Sequence, residues 1–192
     1  AEAQARLKAL FSAHFGEERV HVHAVENRGR DIGPFLTEFR DFYTKYDLVC
    51  RLHSKKSTAY NPQLAGWRQY LLENLLGSRQ LVNRIFSYFQ NDPKLGIAFP
   101  DYYPPVEPMI SWGSNWHHVN ALNRRLGLKL SRRTKAEYPA GSMFWFRPAA
   151  LKPLFDLRLK LKDFEDKSEA MVDGSMAHAV ERLFLHVAGK IG

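Results

Sequence analysis

One cysteine, Cys50, occurs in 192 residues. A lone cysteine excludes an internal disulfide. Set inside an apolar stretch, it reads as a small buried hydrophobe rather than a nucleophile, and the reducing cytosol is the expected compartment. No apolar run approaches the ~20 residues that cross a bilayer as a helix. Neither a Walker loop nor Gly-x-Gly-x-x-Gly occurs, which argues against a P-loop ATPase or a Rossmann dehydrogenase. Gly141-Ser142-Met143 lacks the second glycine of a nucleophile elbow. No Asp-x-Asp occurs, so the carboxylate pair that commonly holds a divalent cation against a diphosphate is missing. There is no zinc-finger spacing and no aromatic RNA-recognition signature, and nucleic acid is not an expected partner. Internal repeats and low-complexity segments are absent too.

What is present describes a folded globular chain: 45% apolar and 13% aromatic residues, with a length that suits one domain over 1–192. The net charge of +8, from 28 basic and 20 acidic side chains, favours anionic partners, whether phosphorylated small molecules or anionic lipid headgroups. The densest basic patch is Arg124-Arg125 with Lys129 to Lys135.

The most informative stretch runs from Glu26 to Ser57. It follows the alternating run Val20 to Val25 (VHVHAV), which predicts a strand. Gly29 suits a tight turn, and Asp31 is a candidate N-cap. Ile32, Phe35, Leu36, Phe39 and Phe42 then recur at helical spacing, and Asp47 to Leu52 predicts a second strand ending in His53-Ser54-Lys55-Lys56. Strand, helix and strand in that order build a parallel sheet, and ligands of such sheets sit at the carboxyl ends of strands. Both strands end in cationic loops, Arg28/Arg30 and His53/Lys55/Lys56, which points to an anionic ligand such as a phosphate. A solvated basic surface is the alternative.

Further along, helices are predicted over 2–15, with Leu7, Leu10 and Phe11 toward a core, and over 67–76, 78–90, 117–127, 148–155 and 175–188. Leu95 to Phe99 and residues 138–147 predict strands. Strands separated by helices give an α/β domain with a mainly parallel sheet flanked by helices. Because the chain opens on a helix rather than a strand, it reads as part of a longer chain, lacking the first β/α elements of its sheet.

Acid/base candidates are Asp31, Asp101, Glu165, Asp166 and Asp173. Capping alone also accounts for Asp31 and Asp173, and a turn accounts for Asp101. His178, near the start of the last helix, is a candidate for contacting a sugar or acceptor. Trp112, Trp116 and Trp145 offer faces on which sugars stack, although burial explains them equally. His21, His23, His117 and His118 lack carboxylate or cysteine partners at ligand spacing. No metal and no cofactor is therefore expected, and positive charge at the site must come from side chains or helix N-termini.

Across NRGRDIGPFL (27–36), YDLVCRLHSKKS (46–57), WRQYLLENLLGS (67–78), GIAFPDYYP (96–104), YPAGSMFWFRPAAL (138–151) and DGSMAHAVERLF (173–184), the sequence resembles the rhamnan synthesis protein F family of bacterial polysaccharide biosynthesis. The resemblance implies a glycosyltransferase-like domain acting on rhamnan or O-antigen lipopolysaccharide. The layout is also similar to inverting GT-A glycosyltransferases, with His53 to Lys56 where the Asp-x-Asp is expected and Asp173 where the late acidic residue that acts as base is expected; Asp31, Asp101 or Asp173 would then deprotonate the acceptor hydroxyl. On that likeness the donor is a nucleotide-diphosphate sugar, dTDP-rhamnose among the candidates, held by Arg28, Arg30, His53, Lys55 and Lys56. The acceptor is a glycan or a lipid-linked glycan. The expected location is cytoplasmic, with peripheral contact at the inner face of the membrane. A non-catalytic module that binds glycan or organises an assembly complex is the other reading.

Overall fold

The computed structural model of the chain describes residues 2–54, 62–166 and 173–191. Helix α1 (Glu2–Phe15) leads through an irregular stretch to the short helices α2 (Ile32–Leu36) and α3 (Arg40–Tyr43) and to strand β1 (Val49–Arg51). Helices α4 (Trp67–Leu76) and α5 (Arg79–Asn91) precede β2 (Ile97–Ala98). Helix α6 (Trp116–Leu126), strand β3 (Phe144–Phe146), α7 (Pro148–Asp156) and α8 (Met176–Ile191) complete the described elements.

Local chemistry sets several of these boundaries. Ser78 is extended, and its Oγ accepts from Leu81 N at 3.1 Å, capping α5. Gly127, at φ 61, ends α6 in the left-handed conformation that glycine tolerates. Pro148 opens α7, where its missing N–H costs nothing. The first turn of α8 is satisfied by Glu165 Oε1, which accepts from Met176 N at 2.6 Å, and by Ser175 Oγ, which accepts from His178 N at 3.3 Å.

The mainly parallel sheet, and with it the GT-A-like architecture, is corrected by the strand pairing. Among the described residues the sheet has the order β1-β3-β2, and β3 runs antiparallel to both neighbours, with Val49 and Ile97 each opposite Phe146. Alternating strands and helices predict a parallel sheet only if successive strands become neighbours. Here a late strand inserts between two earlier ones, and the strands are two or three residues long beside much longer helices.

The run VHVHAV also departs from expectation. It pairs with no strand among the described residues; instead His21 and His23 set their ring edges on Phe42 and Phe39, at 5.0 and 5.4 Å. The helix predicted through Phe42 breaks at Thr37, whose backbone N–H closes on both Gly33 O and Pro34 O. Helix α1 forms as its spacing predicts but buries none of its residues: Leu7, Leu10, Phe11 and Phe15 are all exposed.

β3 organises the core. Side chains alternate across a strand, so Phe144 and Phe146 enter one cluster and Trp145, with Met143, enters another. The first cluster holds Phe35, Leu151, Leu154, Val180, Leu183 and Phe184 from α2, α7 and α8. The second holds Leu71, Leu75, Ile85 and Phe89 from α4 and α5. Helices therefore cover both faces of the small sheet. Among the described residues no helix is long and apolar enough to cross a membrane.

Phe35 sits at the centre of the first cluster, with the rings of Tyr43, Phe146, Phe155 and Phe184 at 5.0–5.9 Å. Phe35→Ala should cost roughly 3–5 kcal/mol in urea unfolding. Leu10→Ala, at a residue 58% exposed, should change stability by no more than about 0.5 kcal/mol. Equal losses in the two variants would show that α1 is part of the same core.

Candidate functional site

A cleft of about 260 Å³ is bounded by the start of α2, the end of β1, the loop entering β3 and the first turns of α8. Its wall includes Arg30, Asp31, His53, Trp67, Tyr138, Gly141, Ser142, Asp173, His178, Glu181 and Arg182. Five residues singled out from sequence meet here: Arg30, Asp31, His53, Asp173 and His178.

The back of the cleft is fixed by Arg51, which is buried at the end of β1. Its Nη2 donates to Asp31 Oδ2 at 2.5 Å and to Asp31 O at 3.1 Å, and its Nη1 donates to Ser142 O. The guanidinium lies over the Phe35 ring at 4.6 Å. Asp31 is therefore not a helix cap as expected: its carboxylate goes across the fold to Arg51. Burial pushes Asp31 up, but the charges of Arg51 and His53 and the Arg51 hydrogen bond outweigh it and hold the carboxyl below its ordinary value.

The loop entering β3 turns sharply at Gly141 and Ser142, at φ 89 and 56. A Cβ on Gly141 would come within 2.8 Å of Leu71 Cδ1. This turn is tied on three sides. His53 Nε2 donates to Gly141 O at 2.7 Å, Arg51 takes Ser142 O, and Glu181 Oε1 accepts from Gly141 N at 3.0 Å and from Ser142 Oγ at 2.9 Å. Arg30, at φ 57, is a second left-handed non-glycine residue on the rim. Strain of this kind concentrates at functional sites.

At the mouth, Arg30 Nη1 lies 2.7 Å from His178 Nε2. Arginine only donates, so Nε2 is the acceptor nitrogen and Nδ1 carries the proton, donating to Ser175 Oγ at 2.8 Å. His178 is thus neutral with its basic nitrogen under an exposed guanidinium. Burial and then the charge of Arg30 hold its pKa below the ordinary 6.5.

Asp173 is fully engaged. Oδ2 accepts from Ser114 N at 2.8 Å, and Oδ1 accepts from Asn115 Nδ2 at 2.7 Å and Arg182 Nη2 at 3.2 Å. Gly113, at φ 54, brings its backbone so close that a Cβ would fall 2.3 Å from Asp173 Oδ2. Burial raises Asp173, but the bonds from Asn115 and Ser114 and the charge of Arg182 leave it below the usual carboxylate range.

Other sequence candidates lie elsewhere. Asp101 stands exposed beyond β2, where its charge adds to burial in raising the Tyr70 phenol. Arg28 donates through Nε to Phe164 O at 3.1 Å and pairs its backbone with Asp166, while Glu165 caps α8. Trp112 and Trp145 are buried, donating to Thr134 O and Leu75 O, and Trp116 packs on Trp112. The aromatic side chains on the cleft are instead Trp67 and Tyr138. Lys55 and Lys56 lie outside the described residues. Burial pushes the Cys50 thiol up to about 12, which rules out a thiolate nucleophile at neutral pH.

Glu181 and Arg182 are site residues that no sequence motif singles out. Their signal was present: they follow His178 by three and four residues on one helix, which sets all three on one side of α8. Arg182 also donates to Ser111 O and His178 O and covers the Tyr138 ring at 5.1 Å, binding α8 to the cleft wall.

The family model for rhamnan synthesis protein F matches residues 1–191. WxcX, an uncharacterized protein of Xanthomonas campestris pv. campestris, is 40% identical over 166 residues in each of two strains. The match covers 85% of this chain and 23% of WxcX, so the chain spans about a quarter of the length of these curated relatives. No solved structure matches the chain.

Asp31 binds its proton less tightly in the fold than in the unfolded chain. Its contribution is complete above the ordinary value of 3.8 and is lost as pH falls through the lowered folded value. Arg51→Met should therefore destabilise by at most roughly 3–5 kcal/mol at neutral pH, since it leaves the part-buried Asp31 carboxylate without its main counter-charge. The deficit should shrink toward about pH 4, where that carboxylate can protonate. A deficit independent of pH in chemical denaturation would show that Arg51 acts by packing alone.

Proposed function

The chain belongs to the rhamnan synthesis protein F family, which gives it a role in polysaccharide biosynthesis, and from that premise we propose that the cleft transfers a sugar from a nucleotide-diphosphate donor to a glycan or lipid-linked acceptor. The observation that supports this most is the pairing of Arg30 with the neutral His178 at the cleft mouth. It sets a cation for a diphosphate directly against a nitrogen able to take a proton from an attacking hydroxyl.

In this reading the donor diphosphate draws the Arg30 guanidinium into charge-assisted bonds, and Lys55 and Lys56 add positive charge. His178 Nε2, released from Arg30, then accepts the acceptor hydroxyl's proton while the oxygen attacks the anomeric carbon and the nucleoside diphosphate leaves. Asp31 and Asp173 hold the walls, because their ion pairs and hydrogen bonds make them weak bases. Trp67 offers a sugar-stacking face in place of Trp112, Trp116 and Trp145. A cleft of about 260 Å³ suits the reacting end of the donor rather than a whole nucleotide sugar, since pockets that enclose whole ligands run ~300–1,000 Å³. The proposal includes no metal, and dTDP-rhamnose is the first donor to try.

The internal pairing of Asp31 and Asp173 is also what a non-catalytic, glycan-binding module would show. The two readings separate in one set of assays: nucleoside-diphosphate release from a panel of nucleotide sugars, and calorimetry with nucleoside diphosphate and oligosaccharide. Sugar transfer predicts turnover that chelator leaves unchanged. Arg30→Ala should raise the donor KM roughly ten- to a hundred-fold. His178→Gln should lower kcat by about 10²–10⁴ with little change in donor KM. Because neutral His178 is the active form, kcat/KM should fall as pH drops through its pKa in the free protein, below the ordinary 6.5. Binding of oligosaccharide without nucleoside diphosphate, and no turnover with any donor, supports the module instead.

A further inference from the structure

Residues 108–136 contain no aspartate or glutamate, yet they carry Arg124, Arg125, Lys129, Arg132, Arg133 and Lys135, all exposed. Only part of this charge is engaged within the chain. Lys135 pairs with Glu137 at 2.6 Å, Arg125 donates to Leu157 O at 3.1 Å, and Arg132 lies over the Trp116 ring at 5.9 Å. Among the described residues, Arg124, Lys129 and Arg133 have no carboxylate within ion-pair distance.

The backbone that displays these cations is held firmly. After Gly127 ends α6, Asn123 binds Leu130 twice, donating to its carbonyl at 3.2 Å and accepting from its N–H at 3.1 Å. Ser131 and Thr134 close a turn, with Thr134 N donating to Ser131 O at 3.0 Å and Ser131 N donating to Thr134 Oγ1 at 3.0 Å. The buried Trp112 donates to Thr134 O at 2.8 Å and pins the turn to the core. The end of α6 and the loop after it therefore form one rigid, acid-free cationic unit.

We propose that this unit is a docking surface for the anionic headgroups of a phospholipid bilayer. A headgroup layer asks for charge density alone, and each cation close to it strengthens binding roughly fivefold. Single-stranded nucleic acid asks for more, since its bases are held by stacking on exposed aromatics. The aromatics of this unit are committed elsewhere: Trp112 is buried and Trp116 lies beneath Arg132. The same segment runs back through Ser114 and Asn115, which bind Asp173, to Met109 and Ile110 on the cleft wall. This surface stands independently of the sugar-transfer reading, because it needs no turnover.

The test is co-sedimentation of the protein with phosphatidylcholine vesicles with and without phosphatidylglycerol, over a salt series. The parent should bind only the anionic vesicles and release as salt rises. Arg132→Glu with Arg133→Glu should weaken binding at least roughly 25-fold while leaving the melting temperature unchanged. The control, Arg79→Glu with Arg84→Glu on α5, changes net charge equally and should bind nearly as the parent does. No preference for anionic vesicles overturns the proposal. So do equal losses in the two variants, which would mean that net charge alone acts, or displacement of the protein from vesicles by a single- or double-stranded oligonucleotide that binds more tightly at the same salt.

Discussion

A guanidinium taken out of water must have its donors answered, and Arg51 shows where that requirement leads. Its partners come from two distant parts of the chain: Asp31 and the Phe35 ring at α2, and Ser142 O before β3. Breaking a buried pair strands a charge, at a cost of several kcal/mol. These parts must therefore stay in register with the end of β1. Glu181 and His53 extend the constraint by gripping the same Gly141–Ser142 turn from α8 and from the residues after β1. The cleft is a by-product of that arrangement, with its back wall held by charge and its rim held in left-handed backbone.

The charge of the molecule is divided between two settings. At the cleft, the carboxylates of Asp31, Asp173 and Glu181 are each within ion-pair distance of Arg51 or Arg182, so most of the charge there is already paired. Paired charges attract an anion poorly, so recognition must come from the few groups that can change partner. Arg30 is exposed, and it is bonded to a neutral imidazole rather than to a carboxylate. It gives up less on meeting a phosphate than Arg51 or Arg182 would. The surplus of positive charge lies instead on the end of α6 and its loop, where it bears on where the protein sits rather than on what the cleft holds.

Much of this was legible in the residues, and the failures have definite causes. Helices α1, α4, α5, α6, α7 and α8 follow from spacing and caps, because those signals are local. The order and direction of strands are not local. Phe144–Phe146 reads as one more apolar strand, and nothing within it tells that it separates Val49–Arg51 from Ile97–Ala98. VHVHAV has the period of a strand but lacks a neighbour to pair with, and α1 has the spacing of a packed helix without a surface to pack on. At the site, Arg30, Asp31, His53, Asp173 and His178 were readable because each sits at the edge of an element, where ligands are met. The tryptophans misled, since a large ring suits a core as well as it suits a sugar. Asp31 at a helix start looks like a cap in any sequence, and only the fold brings Arg51 to it.

Central to the account is a neutral His178 whose basic nitrogen faces a ligand-responsive Arg30. Nitrogen-15 NMR of the imidazole rings, recorded while a nucleoside diphosphate such as dTDP is added, reads this directly. The account predicts a Nδ1-protonated neutral ring at neutral pH, with a pKa below 6.5, and a Nε2 resonance that moves on saturation as the guanidinium leaves. In Arg30→Ala the free protein should already show the shifted Nε2 resonance. An imidazolium at neutral pH, or a His178 signal that saturating nucleotide leaves unmoved, would contradict it.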